Sequence, residues 1–144
     1  MKVASILEGK GHHVETTSPD DTVASVAHRL AALGIGALVV SSDGTNVDGV
    51  ISEREITRGL VKFGAEIVNR RVSQVMVRAV PMCSPDDTVK DVMAVMTRTR
   101  HRHVPVVEGG RLCGIVSIGD LVKHRVDEIE LEANVLRDAY LGRS

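Results

Sequence analysis

The string Ser-Pro-Asp-Asp-Thr-Val occurs twice, at Ser18–Val23 and Ser84–Val89, 66 residues apart in a chain of 144. A duplication at that spacing divides the chain into two copies of one supersecondary unit. After each copy, apolar residues recur with helical spacing: Val23, Val26, Ala27, Leu30 and Leu33 in the first, and Val89, Val92, Met93 and Met96 in the second. This rhythm predicts an amphipathic helix in both places. Pro19 and Pro85 suit the first turn of such a helix, and the Asp after each suits its positive end.

Each predicted helix leads into a short apolar run, Ala37–Val40 past a stop at Gly34, and Val104–Val107. Turn residues follow at Ser42–Thr45 and Glu108–Gly110. Second runs then begin, Gly49–Ser52 and Gly114–Ser117, with helices from about Glu53 and Ile118. With first strands near His12–Thr16 and Arg78–Cys83, each unit reads β-α-β-β-α. The fold class is therefore α/β (α+β), two such repeats packed as a pseudo-two-fold pair with a C-terminal helical extension. The expected divisions are 3–64 for repeat 1, 65–72 for a linker, 73–126 for repeat 2, and 127–144 for the C-terminal helix and tail. A repeat of this size buries too little surface to stand alone, so the two should pack on each other.

In the tail, Val126, Ile129, Ala133, Leu136 and Tyr140 form a narrow apolar stripe. It either folds back on its own repeat or makes a dimer contact.

Composition removes several function classes. The net charge is −1 and only Phe63 and Tyr140 are aromatic, which disfavours nucleic acid as a partner. No apolar run approaches the length that spans a bilayer, and the N-terminus lacks the apolar core of a signal peptide. Cys83 and Cys113 read as two small buried hydrophobes in a reducing compartment, which predicts a cytoplasmic protein without a membrane partner. The chain has no Walker-type loop, no G-x-S-x-G and no H-E-x-x-H, so catalysis is not expected. His101 and His103 share one face of a strand, but no third ligand at zinc-like spacing accompanies them, so no metal site is expected.

The segments Gly49-Val50-Ile51-Ser52-Glu53-Arg54-Glu55-Ile56 and Gly114-Ile115-Val116-Ser117-Ile118-Gly119-Asp120-Leu121 share the pattern G-h-h-S-x-x-[D/E]-h, where h is apolar. With His101–Val107 leading into the second hairpin, they make residues 3 to 126 resemble a tandem cystathionine β-synthase (CBS) domain pair, or Bateman module. The resemblance implies a stand-alone, non-catalytic regulatory module. It would bind an adenosine-containing ligand (AMP, ADP, ATP, NAD or S-adenosylmethionine) in clefts between the repeats, form a homodimer through its CBS helices, and act on a regulated protein that the sequence does not identify. No catalytic cofactor is expected.

Two clefts follow from the resemblance. Cleft A would combine Ser117, Gly119 and Asp120 with Ile115 and with Lys10, Gly11, His12, His13 and Val14, have Leu38 and Val39 as its apolar wall, and take phosphate on Arg100 and His101. An Asp at a helix start can accept both ribose hydroxyls, and the helix end offers N–H groups to an anion. Cleft B would combine Ser52, Arg54 and Glu55 with Val77, Arg78, Ala79 and Val80. There Glu55 replaces the ribose-binding Asp, and the extra methylene spoils a bidentate grip. The duller alternative is that Ser117 and Asp120 merely cap a helix, leaving an adaptor protein with vestigial clefts.

Overall fold

In the computed structural model, which describes residues 1–142, the chain runs α1 (Val3–Lys10), β1 (Thr16–Thr17), α2 (Val23–Leu33), β2 (Ala37–Val40), β3 (Gly49–Ser52), α3 (Glu53–Phe63), α4 (Val89–Thr99), β4 (His103–Glu108), β5 (Arg111–Ser117) and α5 (Ile118–Tyr140). Two 3-10 segments, Gly64–Asn69 and Val72–Gln74, link α3 to the second half.

The repeated string starts its helices through its threonine. The hydroxyls of Thr22 and Thr88 accept the N–H groups of Ser25 and Asp91 at 3.2 and 3.1 Å, each satisfying a free donor of the first turn. Pro19 and Pro85 therefore lie ahead of the helices and not in their first turns. The N–H groups of Ser18 and Ser84 donate to the carboxylates of Asp21 and Asp87 at 2.9 and 2.8 Å, closing a tight turn around each proline. On α2 the buried stripe is narrower than expected: Val23, Val26 and Leu30 are buried, whereas Ala27 and Leu33 are exposed.

The paired runs form antiparallel hairpins, with Ala37 opposite Ser52 in the first and His103 opposite Ser117 in the second. The first strands are much shorter than the sequence implied. β1 is two residues long and runs parallel to β2. Over Arg78–Cys83 only Cys83 pairs, in a single parallel bridge with Val106. Val77 has already bonded Val50 antiparallel, at 2.9 Å in both directions, and Pro81 has no N–H to give a ladder.

Two apolar cores form, and each borrows from outside its repeat. The first contains Val23, Val26, Leu30, Leu38, Val40 and Ile51, and it takes Ile67 and Val72 from the connecting segment. The second contains Val92, Met96, Val104, Val106, Val116 and Leu121, and it takes Val3, Ile6 and Leu7 from α1. Thus α1, which the sequence division counts with repeat 1, is built into the core of repeat 2. The N–H groups of Val3 and Ala4 donate to the carbonyls of Asp87 and Pro85 at 2.9 and 3.0 Å. Burying a side chain such as Leu7 contributes about 1.5–3 kcal/mol. This crossing fastens the N-terminal segment and delivers Lys10 to the space between the repeats.

The tail continues α5 without a break. Its apolar stripe does not fold back: Val126, Ile129, Leu136 and Tyr140 are all exposed. The last two residues of the expected tail, 143 and 144, lie outside the described residues. Among the described residues no helix is long and apolar enough to cross a membrane.

Candidate functional site between the repeats

Strand β5 hands over to α5 at Ser117, and the first turn of that helix closes on itself. Ser117 N–H donates to Asp120 Oδ2 at 2.8 Å, and Asp120 N–H donates to Ser117 Oγ at 3.1 Å. Lys10, at the end of α1, points its Nζ at the same Oδ2 (2.6 Å) and at the Ile115 carbonyl (2.8 Å). Across from them runs the segment Gly34–Ala37 that joins α2 to β2. Together they enclose cleft A, about 420 Å³, with His13, Glu15 and His103 at its margins. Its apolar surface comes from Ile35, Ala37 and Ile115. The volume falls in the usual range for small-molecule sites, roughly 300–1,000 Å³.

The charges in cleft A are organised. Burial pushes the Asp120 carboxyl up, but the bonds from Lys10 and Ser117 and the charge of Lys10 outweigh it, and the group stays below the usual carboxylate value. Bonds from His13 and then Arg29 hold Glu15 low. Burial, followed by the nearby Lys10 charge, lowers His103, against the pull of Asp120, Glu53 and Glu55.

Cleft B is the pseudo-symmetric partner, about 280 Å³. Here Ser52 N–H and Ser52 Oγ both donate to Glu55 Oε1, at 3.0 and 2.5 Å. Glu55 is only 7% exposed. The facing segment is Arg100-His101-Arg102-His103, and Arg54 Nη1 donates to the Arg100 carbonyl at 2.6 Å. Arg100 caps α4 in a left-handed conformation, φ 60°, where repeat 1 has Gly34 at φ 65°. For a residue with a Cβ that conformation costs roughly 1–2 kcal/mol.

The structure brings together Lys10, His13, Ile115, Ser117 and Asp120, and in cleft B Ser52, Arg54, Glu55, Val77 and Val80. It places the remaining residues singled out from the sequence elsewhere. Arg100 and His101 line cleft B and not cleft A, because each cleft joins the helix start of one repeat to the strand lead-in of the other. Leu38 and Val39 are fully buried, and the wall belongs to Ile35 and Ala37, where the chain enters β2. His12 Nδ1 lies 3.3 Å from the Cys113 carbonyl, and Gly11 turns the chain after α1 at φ 100°. Val14 and Gly119 are not among the lining residues, nor are Ala79 and Arg78, whose Nη2 donates to the Ser73 carbonyl at 3.2 Å.

Sequence reasoning overlooked Gly36 and His103, which line both clefts. A Cβ at Gly36 would meet the His103 ring at 3.2 Å. The 66-residue offset was the available signal, since it maps Gly34–Ala37 onto Arg100–His103.

Neither cysteine is poised as a nucleophile. Burial, helped by the charges near it, pushes the Cys83 thiol up to about 12, and burial also raises Cys113. Among the described residues, no three His, Cys, Asp or Glu side chains converge as a metal site.

Comparison with known proteins agrees with this architecture. A CBS-domain containing protein from Agrobacterium tumefaciens superposes with a TM-score of 0.83 at 41% identity, over 87% of this chain and 99% of that one. The CBS domain pair of protein MJ0100, solved in complex with 5′-methylthioadenosine and S-adenosyl-L-methionine, shares the fold with a TM-score of 0.75 at 23% identity, over 85% of this chain and 98% of that one. The mitochondrial CBS domain-containing protein CBSX3 of Arabidopsis thaliana is 29% identical over 147 aligned residues, covering 96% of this chain and 71% of that protein. The CBS domain profile itself matches twice, at residues 11–62 and 72–127. The chain belongs to the CBS domain family, as a tandem pair.

Proposed function

We propose that this CBS pair is a non-catalytic sensor that binds an adenosine-containing ligand of the AMP, ADP/ATP or NAD class in cleft A. The observation that carries the reading is the convergence of Asp120, Ser117 and Lys10 on a cleft with an apolar wall. The cap and Lys10 occupy Asp120 Oδ2, which leaves Oδ1 for the hydroxyls of a ribose. Ile35, Ala37 and Ile115 offer an apolar slot for a base, and Lys10 lies within reach of an anionic group. The adenosine compounds bound by the MJ0100 domain pair support the same ligand class here.

A ligand in cleft A would touch β5 and α5 of one repeat and the lead-in to β2 of the other. It would therefore favour one arrangement of the repeats and bias a homodimer or a regulated protein. Cleft B is the weaker site. Its acid is already engaged by Ser52, which favours the second reading, of a vestigial cleft, for that side alone.

Calorimetric titration with AMP, ATP and NAD tests the proposal. At least one should bind the wild type below millimolar, and Asp120→Ala should weaken it about 100-fold, since two charged hydrogen bonds disappear. No binding below millimolar, unchanged affinity in the variant, or turnover of the nucleotide would overturn it.

A further inference from the structure

Among the described residues, only the first turns of α5 touch the rest of the chain. Leu121 is buried, and His124 and Glu128 are half-buried, so these residues mark the edge that faces the body. Val122 extends the apolar stripe of the tail to Val122, Val126, Ile129, Ala133, Leu136 and Tyr140, at alternating steps of four and three. At about 100° per residue, this stripe lies roughly 125° around the helix from the body-facing edge. Its five large members are 46% to 90% exposed. A strict repeat of 3.5 residues keeps one seam in line along a helix, which is what a partner helix needs.

The residues flanking the seam choose the partner. Arg125 and Glu132 lie on one side, Glu130 and Arg137 on the other. In a parallel, in-register pair a flanking residue meets the one about five positions further along the second helix. Arg125 then faces Glu130 of a second copy, and Glu132 faces Arg137, each pair formed twice by symmetry. An antiparallel pair that overlays the same seam sets Glu130 against Glu130, Glu132 against Glu132, and Lys123 against Arg137. Both flanking pairs of charges are attractive in the first arrangement, where Lys123 meets only the uncharged Ile118, whereas these three are repulsive in the second. We propose that α5 is a self-association surface: two copies of this chain pair through a parallel, in-register coiled coil along this stripe, with their bodies on opposite sides of the seam. The proposal gives the homodimer a surface and a direction, and it stands whether or not cleft A binds adenosine.

Sedimentation of the full chain tests it. The wild type should be a dimer at micromolar concentration. Arg125→Glu should weaken association about tenfold, because two exposed attractive pairs become repulsive in each dimer. Adding Glu130→Arg should restore it, and Leu131→Ala, outside the seam, should leave it unchanged. In a Cys113→Ser background, Tyr140→Cys should cross-link on mild oxidation. A parallel seam sets the two copies of residue 140 side by side, while the antiparallel one holds them about 27 Å apart along the axis. A monomer, a dimer indifferent to Arg125→Glu, or failure to cross-link at 140 would overturn the proposal.

Discussion

Clefts A and B are built from the same duplicated segment, and their contrast lies in where the carboxylate ends up. Asp120 is short, so after bonding Ser117 N–H it remains at the cleft surface and reaches Lys10. Glu55 is longer by one methylene and curls back far enough to take both the N–H and the hydroxyl of Ser52. The facing segments diverge in the same sense. Gly34–Ala37 carries no charge, whereas Arg100–His103 carries two guanidinium groups and two imidazoles. Duplication thus supplied two equivalent positions, and side-chain length and polarity made one an apolar-walled cleft with its carboxylate at the surface, the other a polar cleft with its acid bound back to Ser52.

The strongest way to sharpen this contrast is at two glycines that occupy equivalent places in β3 and β5. A Cβ on Gly49 would stand 2.3 Å from the Val77 carbonyl oxygen, while a Cβ on Gly114 would meet the end of the Leu7 side chain at 2.8 Å. Backbone cannot yield as a leucine rotamer can. Gly49→Ala should destabilise the chain by about 3 kcal/mol and Gly114→Ala by about 1 kcal/mol, the upper and lower ends of overpacking costs. Chemical denaturation measures both. Equal losses would mean that the Val50–Val77 bridge, which forms the floor of cleft B, is not a rigid part of the fold.

A smaller effect separates capping from binding. Glu55→Ala leaves the Ser52 N–H without its partner and should cost about 1–2 kcal/mol of stability. It should leave ligand affinity at cleft A within about twofold, since the two acids share no hydrogen-bond partner. Asp120→Ala should cost similar stability but also lose the ligand. If both variants bind equally well, Asp120 is only a cap, and the contrast between the clefts has no functional content.

Much of this was legible in the sequence because it is periodic. The helices after the repeated strings, β2, β3 and the start of α5 follow from apolar spacing, and the Ser117–Asp120 cap follows from residue types. What escaped notice depends on long-range placement. Residues 3–10 form a full helix where their counterpart in the duplication, Val72–Gln74, makes only a short 3-10 turn, although Val3 and Val72 bond the equivalent carbonyls of Asp87 and Asp21. Their burial depends on a core formed 80 residues later. The expected strand over Arg78–Cys83 reduces to one bridge at Cys83, because Val77 bonds Val50 just ahead of it and Pro81 has no N–H to give a ladder. Arg100 and His101 face cleft B and not cleft A, because the pairing of helix start and strand lead-in is a property of the packed repeats. The carboxylate of Glu55 could be seen to be long, but not to bend back onto Ser52.

The finest comparison concerns charge. Asp120 sits below its ordinary value of 3.8 because Lys10 and Ser117 overcome the burial that pushes it up. A carboxyl lowered on folding stabilises the native state above its unfolded value, and that contribution is lost as the pH falls from 3.8 through the lowered value. Replacing Lys10 with Met removes one hydrogen bond and one charge but leaves burial, the largest single influence, in place. The Asp120 midpoint should therefore move upward, and acid unfolding should begin at a higher pH. Carboxyl NMR titration of the wild type and Lys10→Met reads the first effect, and circular dichroism on acidification reads the second. Arg54→Met serves as the matched change in cleft B, where the guanidinium bonds the Arg100 carbonyl and no carboxylate. It should leave the Asp120 midpoint where it is. A midpoint that does not move in Lys10→Met would mean that Lys10 and Asp120 are not paired in solution, and the cation in cleft A would then lose its fixed position.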